Sequence, residues 1–403
     1  MRDARKPRAL IITQFFAPEP CAAAHRMEAM TKALHDRGLD VTVLAPMPSF
    51  PSGRIDAAYR GKFFLREDRD GAEVIRLLHI ATARRYGRYL AWLSFAALAT
   101  VYAVLFAKKA DVVIMTSPPI TLAFPAIAVR LLRGSRLVVD VRDVFPDLPI
   151  QMGEWSENGL MARLVGGLVN RLYALASLIT PVTPNAVERV RTRAGDTEVL
   201  LAPNGWDRVE AHKGVIKRRN GEFVATFTGN FGLANGLDLL LDAAKLVARD
   251  EIRIALIGGG ADCSHVVARI QNERIDNVDY YGVRSRAEAM GALAESDAAV
   301  SVLREGITEC IPTKLFDAFA VERPVVLCAS GEARRVVSEA AGGLCSAPGD
   351  PESLADALRR LAGDRNLANA LGVSGRRYAA AFDREVIMAV LAERIARILE
   401  AHD

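Results

Sequence analysis

The chain has 403 residues, about half of them apolar and a quarter charged, too many for one ordinary core and too apolar for a disordered one. A net charge of +4 on 52 basic and 48 acidic side chains excludes a dedicated nucleic-acid binder but permits a local basic patch. The five cysteines (Cys21, Cys263, Cys310, Cys328, Cys345) form no Cys-x-x-Cys pair and lack a nearby histidine, which excludes a disulfide frame or zinc site and predicts reduced thiols in a cytosolic protein.

The basic start, residues 1–8, runs into Ala9-Leu-Ile-Ile12 and turns polar at Thr13-Gln14. That apolar run is too short for a signal peptide and reads as a first buried strand, so no export is expected. Short apolar runs then alternate with helical periods, the pattern of parallel α/β units. Strands are expected over Ala9–Thr13, Asp40–Leu44, Glu73–Leu77, Val112–Met115, Leu137–Asp140, Leu178–Pro181 and Glu198–Leu201. Helices such as Ala23–Arg37, Leu122–Leu132, Leu160–Ala176 and Asn185–Ala194 lie between them.

Tyr89–Phe106 carries no charge and is bracketed by Arg84, Arg85, Arg88 and by Lys108, Lys109. Its length reaches the lower edge of a membrane span, but both flanks are basic and a buried-strand pattern resumes at Asp111. A helix packed on the sheet and a helix lying at a bilayer surface, its arginines on lipid phosphates, both fit the segment.

At Ala202-Pro-Asn-Gly-Trp-Asp207 the pattern breaks, and a polar, basic stretch to Gly221 marks the hinge. The second half restarts with strands Phe223–Thr228, Arg253–Ile257, Val278–Tyr281, Ala298–Val302 and Val325–Cys328. Helices Leu237–Arg249, Ser264–Arg274, Arg286–Glu295 and Pro312–Val321 separate them. After Ala340 the chain reads as helical through Pro351–Ala362, Arg365–Phe382 and Arg384–Ala401. Two doubly wound domains follow, residues 1–205 and 206–382, with residues 383–403 as a helical tail that packs back on the first domain. Ligands of open α/β sheets bind at the carboxyl ends of the strands, so the two domains are expected to face each other across a ligand cleft.

The strand ends supply the candidate chemistry. Pro312-Thr-Lys-Leu-Phe-Asp317 opens a helix, where free backbone N–H groups at Thr313 and the Lys314 amine would hold a diphosphate. Asp317, one turn on, could accept hydrogen bonds from a ribose diol, and Glu309 stands eight positions before it. Glycine-bearing loops follow two other strands: Gly229, Asn230 and Gly232 in Phe227-Thr-Gly-Asn-Phe-Gly232, with Asn235 opening the next helix, and Gly258-Gly-Gly260. In the first half, His25 and Arg26 sit in the first turn of a helix, and Arg142 and Asp143 sit at a strand exit. An ordinary capped helix and a structural Arg–Asp pair are the bland readings of these features.

Taken together, Phe15-Phe-Ala-Pro-Glu-Pro20, Arg142-Asp-Val-Phe-Pro146, Pro203-Asn-Gly-Trp-Asp207, Thr228-Gly-Asn-Phe-Gly232, Gly258-Gly-Gly260, Pro312–Asp317 and Ala347-Pro-Gly-Asp-Pro-Glu352 resemble retaining GT-B glycosyltransferases of family 4. The likeness runs nearly end to end, and is similar to the branch building bacterial surface polysaccharides, including transferases of N-acetyl-fucosamine. It implies a GT-B fold: an acceptor-binding Rossmann-like domain, a nucleotide-sugar-binding one, and a C-terminal helix. The family's Glu-x7-Glu signature becomes Glu309-x7-Asp317, the first acid near the donor sugar and the second, one methylene shorter, on the ribose. Asn230 and Asn235 occupy places where the family often has an Arg and a Lys on the diphosphate, leaving Lys314 as the evident cation.

The implied reaction moves a sugar with retention from a nucleoside-diphosphate-sugar to a polyprenyl-diphosphate-linked saccharide, in O-antigen, capsule or exopolysaccharide (lipopolysaccharide-type) synthesis. Lys314 would stabilise the departing diphosphate, Asp143 and His25 would orient the acceptor, and no metal or bound cofactor is expected. The enzyme would sit on the cytoplasmic face of the inner membrane through residues 84–109 and bind no nucleic acid. A nucleotide-sugar 2-epimerase of the same architecture, and a non-catalytic membrane-associated scaffold, remain alternatives.

Overall fold

The computed structural model describes residues 5–82, 87–207, 212, 214–216, 221–232, 234–308 and 310–400. Its backbone divides into two units: Met1–Asn204 together with Arg384–Asp403, and Gly205–Asp383.

The first unit begins with β1 (Arg8–Ile12), α1 (Ala22–Asp36), β2 (Asp40–Pro46), β3 (Phe64–Arg69), β4 (Ala72–Leu77) and α2 (Gly87–Leu105). It continues through β5 (Val112–Ser117), α3 (Ala123–Arg133), β6 (Arg136–Val141), α4 (Asp147–Gln151), α5 (Leu160–Leu175), β7 (Leu178–Pro181) and α6 (Pro184–Ala194). The sheet order is β3-β4-β2-β1-β5-β6-β7, parallel except for the β3–β4 pair. Its central strands are near-continuous apolar runs because helices cover both faces. α2, α3, α5 and α6 bury Phe95, Ala99, Val129, Leu172 and Val190 on one face. On the other, α1 contributes Met27, Met30 and Leu34 to a second core.

The first unit departs from the sequence pattern in two places. β3 occupies a stretch of alternating exposure that the sequence pattern does not mark as a strand, joined to β4 by Asp70-Gly71, both with positive φ (53° and 79°). Those angles make the two-residue turn whose twist matches a hairpin. The strand expected over Glu198–Leu201 is only an isolated bridge between Val199 and Ile179, cut short before Pro203.

The second unit comprises β8 (Phe223–Asn230), α7 (Leu237–Leu246), β9 (Ile252–Gly259), α8 (Cys263–Asn272), β10 (Val278–Tyr280) and α9 (Arg286–Glu295). After these come β11 (Ala298–Val302), α10 (Thr313–Ala320), β12 (Val325–Cys328), α11 (Gly331–Glu339), β13 (Gly343–Ser346), α12 (Pro351–Gly363) and α13 (Arg365–Ala379). Its sheet, in the order β10-β9-β8-β11-β12-β13, is parallel throughout. Residues just after Ala340 are therefore not helical: β13 adds an edge strand there. Gly343 makes that pairing possible, since a Cβ at this position would lie 2.0 Å from the Val325 carbonyl oxygen.

The last helix, α14 (Arg384–Glu400), belongs to the first unit, where Met388, Leu391 and Ile395 join the α1 core.

Candidate functional site

In both units the polar and glycine-rich segments singled out in the sequence lie at the carboxyl ends of parallel strands. In the second unit, β8 and β9 stay paired to their last residues, Gly229 opposite Gly258 and Asn230 opposite Gly259. Such close backbone approach explains the glycines. A Cβ on Gly258 would lie 1.8 Å from the Gly229 carbonyl oxygen, and one on Gly260 would lie 2.2 Å from Asn230 Oδ1. Both have φ values, +140° and +155°, that L side chains rarely adopt.

Lys314 reaches this double loop from the first turn of α10. Its Nζ donates to Asn235 Oδ1 at 3.3 Å, and Asn235 Nδ2 in turn donates to the Asn230 carbonyl at 2.9 Å. The ammonium also sits 3.7 Å from the Phe227 ring centroid, a cation–π geometry. Gly229 leaves room for it, because a Cβ there would be 3.3 Å from Nζ. Pro312 precedes the helix and among the described residues no side chain caps it; the Leu315 N–H turns back to the Pro312 carbonyl at 3.1 Å, which leaves the Thr313 and Lys314 N–H groups to meet an anion. Burial pushes the Lys314 amine down to about 7, with the charges of Cys310 and Asp317 working against the shift. A cavity of about 240 Å³ opens beside Asn235, and Asp238, His265 and Arg304 line its rim.

Asp317 lies one turn beyond Lys314 and is only 4% exposed. Arg286, at the start of α9, grips both of its oxygens, at 2.6 and 2.8 Å. Sequence reasoning missed Arg286. The one local hint, Ser285 and Glu288 flanking it as a capping box, speaks of a helix start and not of a partner 31 residues away. Lys314, Thr313, Asn235, Asn230, Gly229, Gly232, Gly258, Gly260 and Asp317 thus share one sheet edge and the helix starts beside it. Glu309 lies outside the described residues.

His25 and Asp143 belong to the first unit. His25, half-exposed on α1, pairs with Glu28 at 3.4 Å. Burial raises the Asp143 carboxyl above the usual range against the opposing charge of Arg142, whose own Nε is buried without a partner among the described residues. Arg26, beside His25, is fully buried on Asp140, and this pair, not Arg142–Asp143, is a fully buried structural Arg–Asp pair. Glu19 is a further buried acid that sequence reasoning did not single out. It accepts from the Ser49 and Phe50 amides, and burial raises its carboxyl too. Among the described residues no group of three His, Cys, Asp or Glu side chains is placed to hold a metal ion.

Two family descriptions match the chain: "Glycosyl transferase 4-like domain" over residues 22–205 and "Glycosyl transferases group 1" over residues 222–364. Among curated proteins it is similar to "Probable glycosyltransferase WbjE" of Pseudomonas aeruginosa, 26% identical over 68% of this chain and 71% of that one. It is also similar to "Putative colanic acid biosynthesis glycosyl transferase WcaI" of Escherichia coli K12, 20% identical over 78% and 81%. The solved structure of Anabaena HepE in complex with UDP superposes with a TM-score of 0.69 at 17% identity, covering 97% of this chain and all of that one.

Proposed function

We propose, from the premise that the chain belongs to the group 1, family-4-like glycosyltransferases of GT-B fold, that it moves a sugar with retention from a nucleoside-diphosphate-sugar to a lipid-linked saccharide. One observation carries the donor half of this reading: the Lys314 amine, set by Asn235, at the uncapped start of α10. Departure of a nucleoside diphosphate develops negative charge, and a helix start plus one amine is what stabilises it without a metal ion. The likeness to HepE, whose solved structure holds UDP, supports a nucleoside-diphosphate donor. Glu309 would lie near the donor sugar, while Asp143 and His25 would orient the acceptor hydroxyl. The likeness to WcaI, named for colanic acid biosynthesis, supports a surface polysaccharide as the product.

The test is a melting experiment with UDP, GDP and ADP. A nucleotide held at 100 times its Kd stabilises the fold by about 2.7 kcal/mol, which is a rise of roughly 5–10 °C for a unit of this size. If all three leave the melting temperature unmoved, the donor reading fails.

The acceptor half draws on α2. It buries Phe95, Ala96, Ala99 and Ala103 against the sheet and leaves Leu90, Leu93 and Leu105, with Phe106 just beyond its end, at least half exposed. Lys108 and Lys109 follow, both exposed; Arg84 and Arg85 lie outside the described residues. No helix of the described residues is long and apolar enough to cross a membrane. Such a face suits a polyprenyl-diphosphate saccharide presented at the cytoplasmic surface of the inner membrane. The protein is therefore expected to sediment with anionic vesicles at low salt and to leave them near 1 M salt, where charges are screened beyond about 3 Å. Leu105→Glu with Phe106→Glu should abolish sedimentation; binding that survives both the salt and the double substitution would refute this docking face.

A further inference from the structure

In the family pattern the second acid of Glu-x7-Glu holds the ribose directly. Here that acid is the shorter Asp317, and the structure leaves it little to offer. It is 4% exposed, and each of its oxygens already accepts a hydrogen bond from Arg286. The guanidinium is the accessible member of the pair, with 37% of its side chain exposed against 6% for Asp317. Arg286 carries five N–H donors, of which the two bonds to Asp317 use two. Its Nε is buried without a partner among the described residues, so the fork is clamped from the acid side and its remaining Nη–H donors are not spent there.

The placement also fits. Asp317 is three residues after Lys314, about 4.5 Å further along α10. In a nucleoside diphosphate the ribose is the next group after the phosphates. The Ser285–Glu288 capping box fixes the turn from which Arg286 projects, and Asp207 adds a second negative charge within electrostatic reach of the guanidinium.

We propose that Arg286 is the ribose-binding group of the donor site, and that Asp317 is its anchor. A ribose hydroxyl accepts from a free Arg286 N–H, and the missing methylene of Asp317 is filled by the guanidinium. Asp317 is then a positioning residue: it holds the fork in place and keeps its charge balanced. This assignment rests on the donor reading given above.

The experiment compares UDP with 2′-deoxy-UDP, and GDP with 2′-deoxy-GDP, by titration calorimetry. The wild-type chain is expected to prefer at least one ribonucleotide over its 2′-deoxy form by about tenfold or more, the worth of one hydrogen bond to a charged group. Arg286→Lys keeps a cation on Asp317 but loses the planar fork. It should weaken the ribonucleotide while leaving the deoxy form within about twofold, so the preference collapses towards one. Arg286→Gln with Asp317→Asn removes both charges together, avoids stranding a buried acid, and should give the same collapse. If Arg286→Lys weakens both forms equally, or leaves the preference intact, Arg286 acts elsewhere and the assignment is wrong. Lys314→Ala serves as the separate arm. It should weaken ribo and deoxy forms alike, and a wild-type chain that binds none of the four nucleotides overturns the donor reading and this assignment together.

Discussion

Lys314→Ala is expected to lower kcat/KM for the donor by about two to three orders of magnitude, because it removes the amine that Asn235 sets at the start of α10, where the proposed diphosphate would sit. The fold should survive, since the substitution takes away a costly buried amine and strands no partner charge; Asn235 keeps its bond to the Asn230 carbonyl. The amine's own titration gives a second, sharper readout. In the folded chain it titrates near 7, against about 10.4 in an unfolded one. Between those values the unfolded chain binds more protons, so the wild-type protein should gain stability as pH rises from about 7 to 10, a slope the alanine variant lacks. Nucleotide binding runs the other way. A diphosphate beside Nζ favours the charged amine, so binding above pH 7 must take up a proton, and affinity should fall as pH rises towards 9. Calorimetry at pH 8 in buffers of different ionisation heat measures this uptake directly. Equal heats in all buffers for the wild-type chain would mean that Lys314 does not meet the phosphates.

Much of the fold is legible in the chain because buried parallel strands are nearly unbroken apolar runs, as in Ala9–Ile12 or Val112–Met115. The failures have local causes. β3, Phe64–Arg69, is an edge strand whose charged residues read as loop, although Asp70-Gly71 carried the hairpin signal. Glu198–Leu201 has strand composition but only one bridge to pair with, and Gly342-Gly343 ends the helical pattern and admits β13. The site divides in the same way. Gly229, Gly258 and Gly260 could be found because close backbone approach demands glycine at particular positions. The Arg286–Asp317 pair could not, because nothing along the chain says which of many arginines will cover a given acid; the winding of α9 and α10 on the same sheet decides that. Arg26 shows the converse. Its place in the first turn of α1 suggested ligand contact, yet tertiary packing turns it inward.

That inward turn predicts the largest stability effect in the first unit. Arg26 and Asp140 have no exposed surface, and their ion pair closes at 2.7 Å. Arg26 Nη1 also donates to the Pro203 carbonyl at 2.9 Å, and Thr180 Oγ1 donates to Asp140 at 2.9 Å. One guanidinium and one carboxylate thus tie α1 to β6, β7 and the end of the unit's first segment. Asp140→Ala leaves a guanidinium in the core with no counter-charge and should cost about 3–5 kcal/mol. For a unit of about 200 residues that lowers the melting temperature by roughly 6–20 °C. Arg26→Ala should cost a similar amount for the mirror-image reason. The pair itself is a weaker stabiliser than either single loss suggests, since forming it required both groups to leave water. Arg26→Met combined with Asp140→Leu should therefore recover most of the lost stability, giving a strongly non-additive double-mutant cycle. Chemical denaturation of the three variants measures this. Single substitutions within about 1 kcal/mol of wild type, or a double variant whose loss is simply the sum of the two, would show that the pair is hydrated and does not hold the core together.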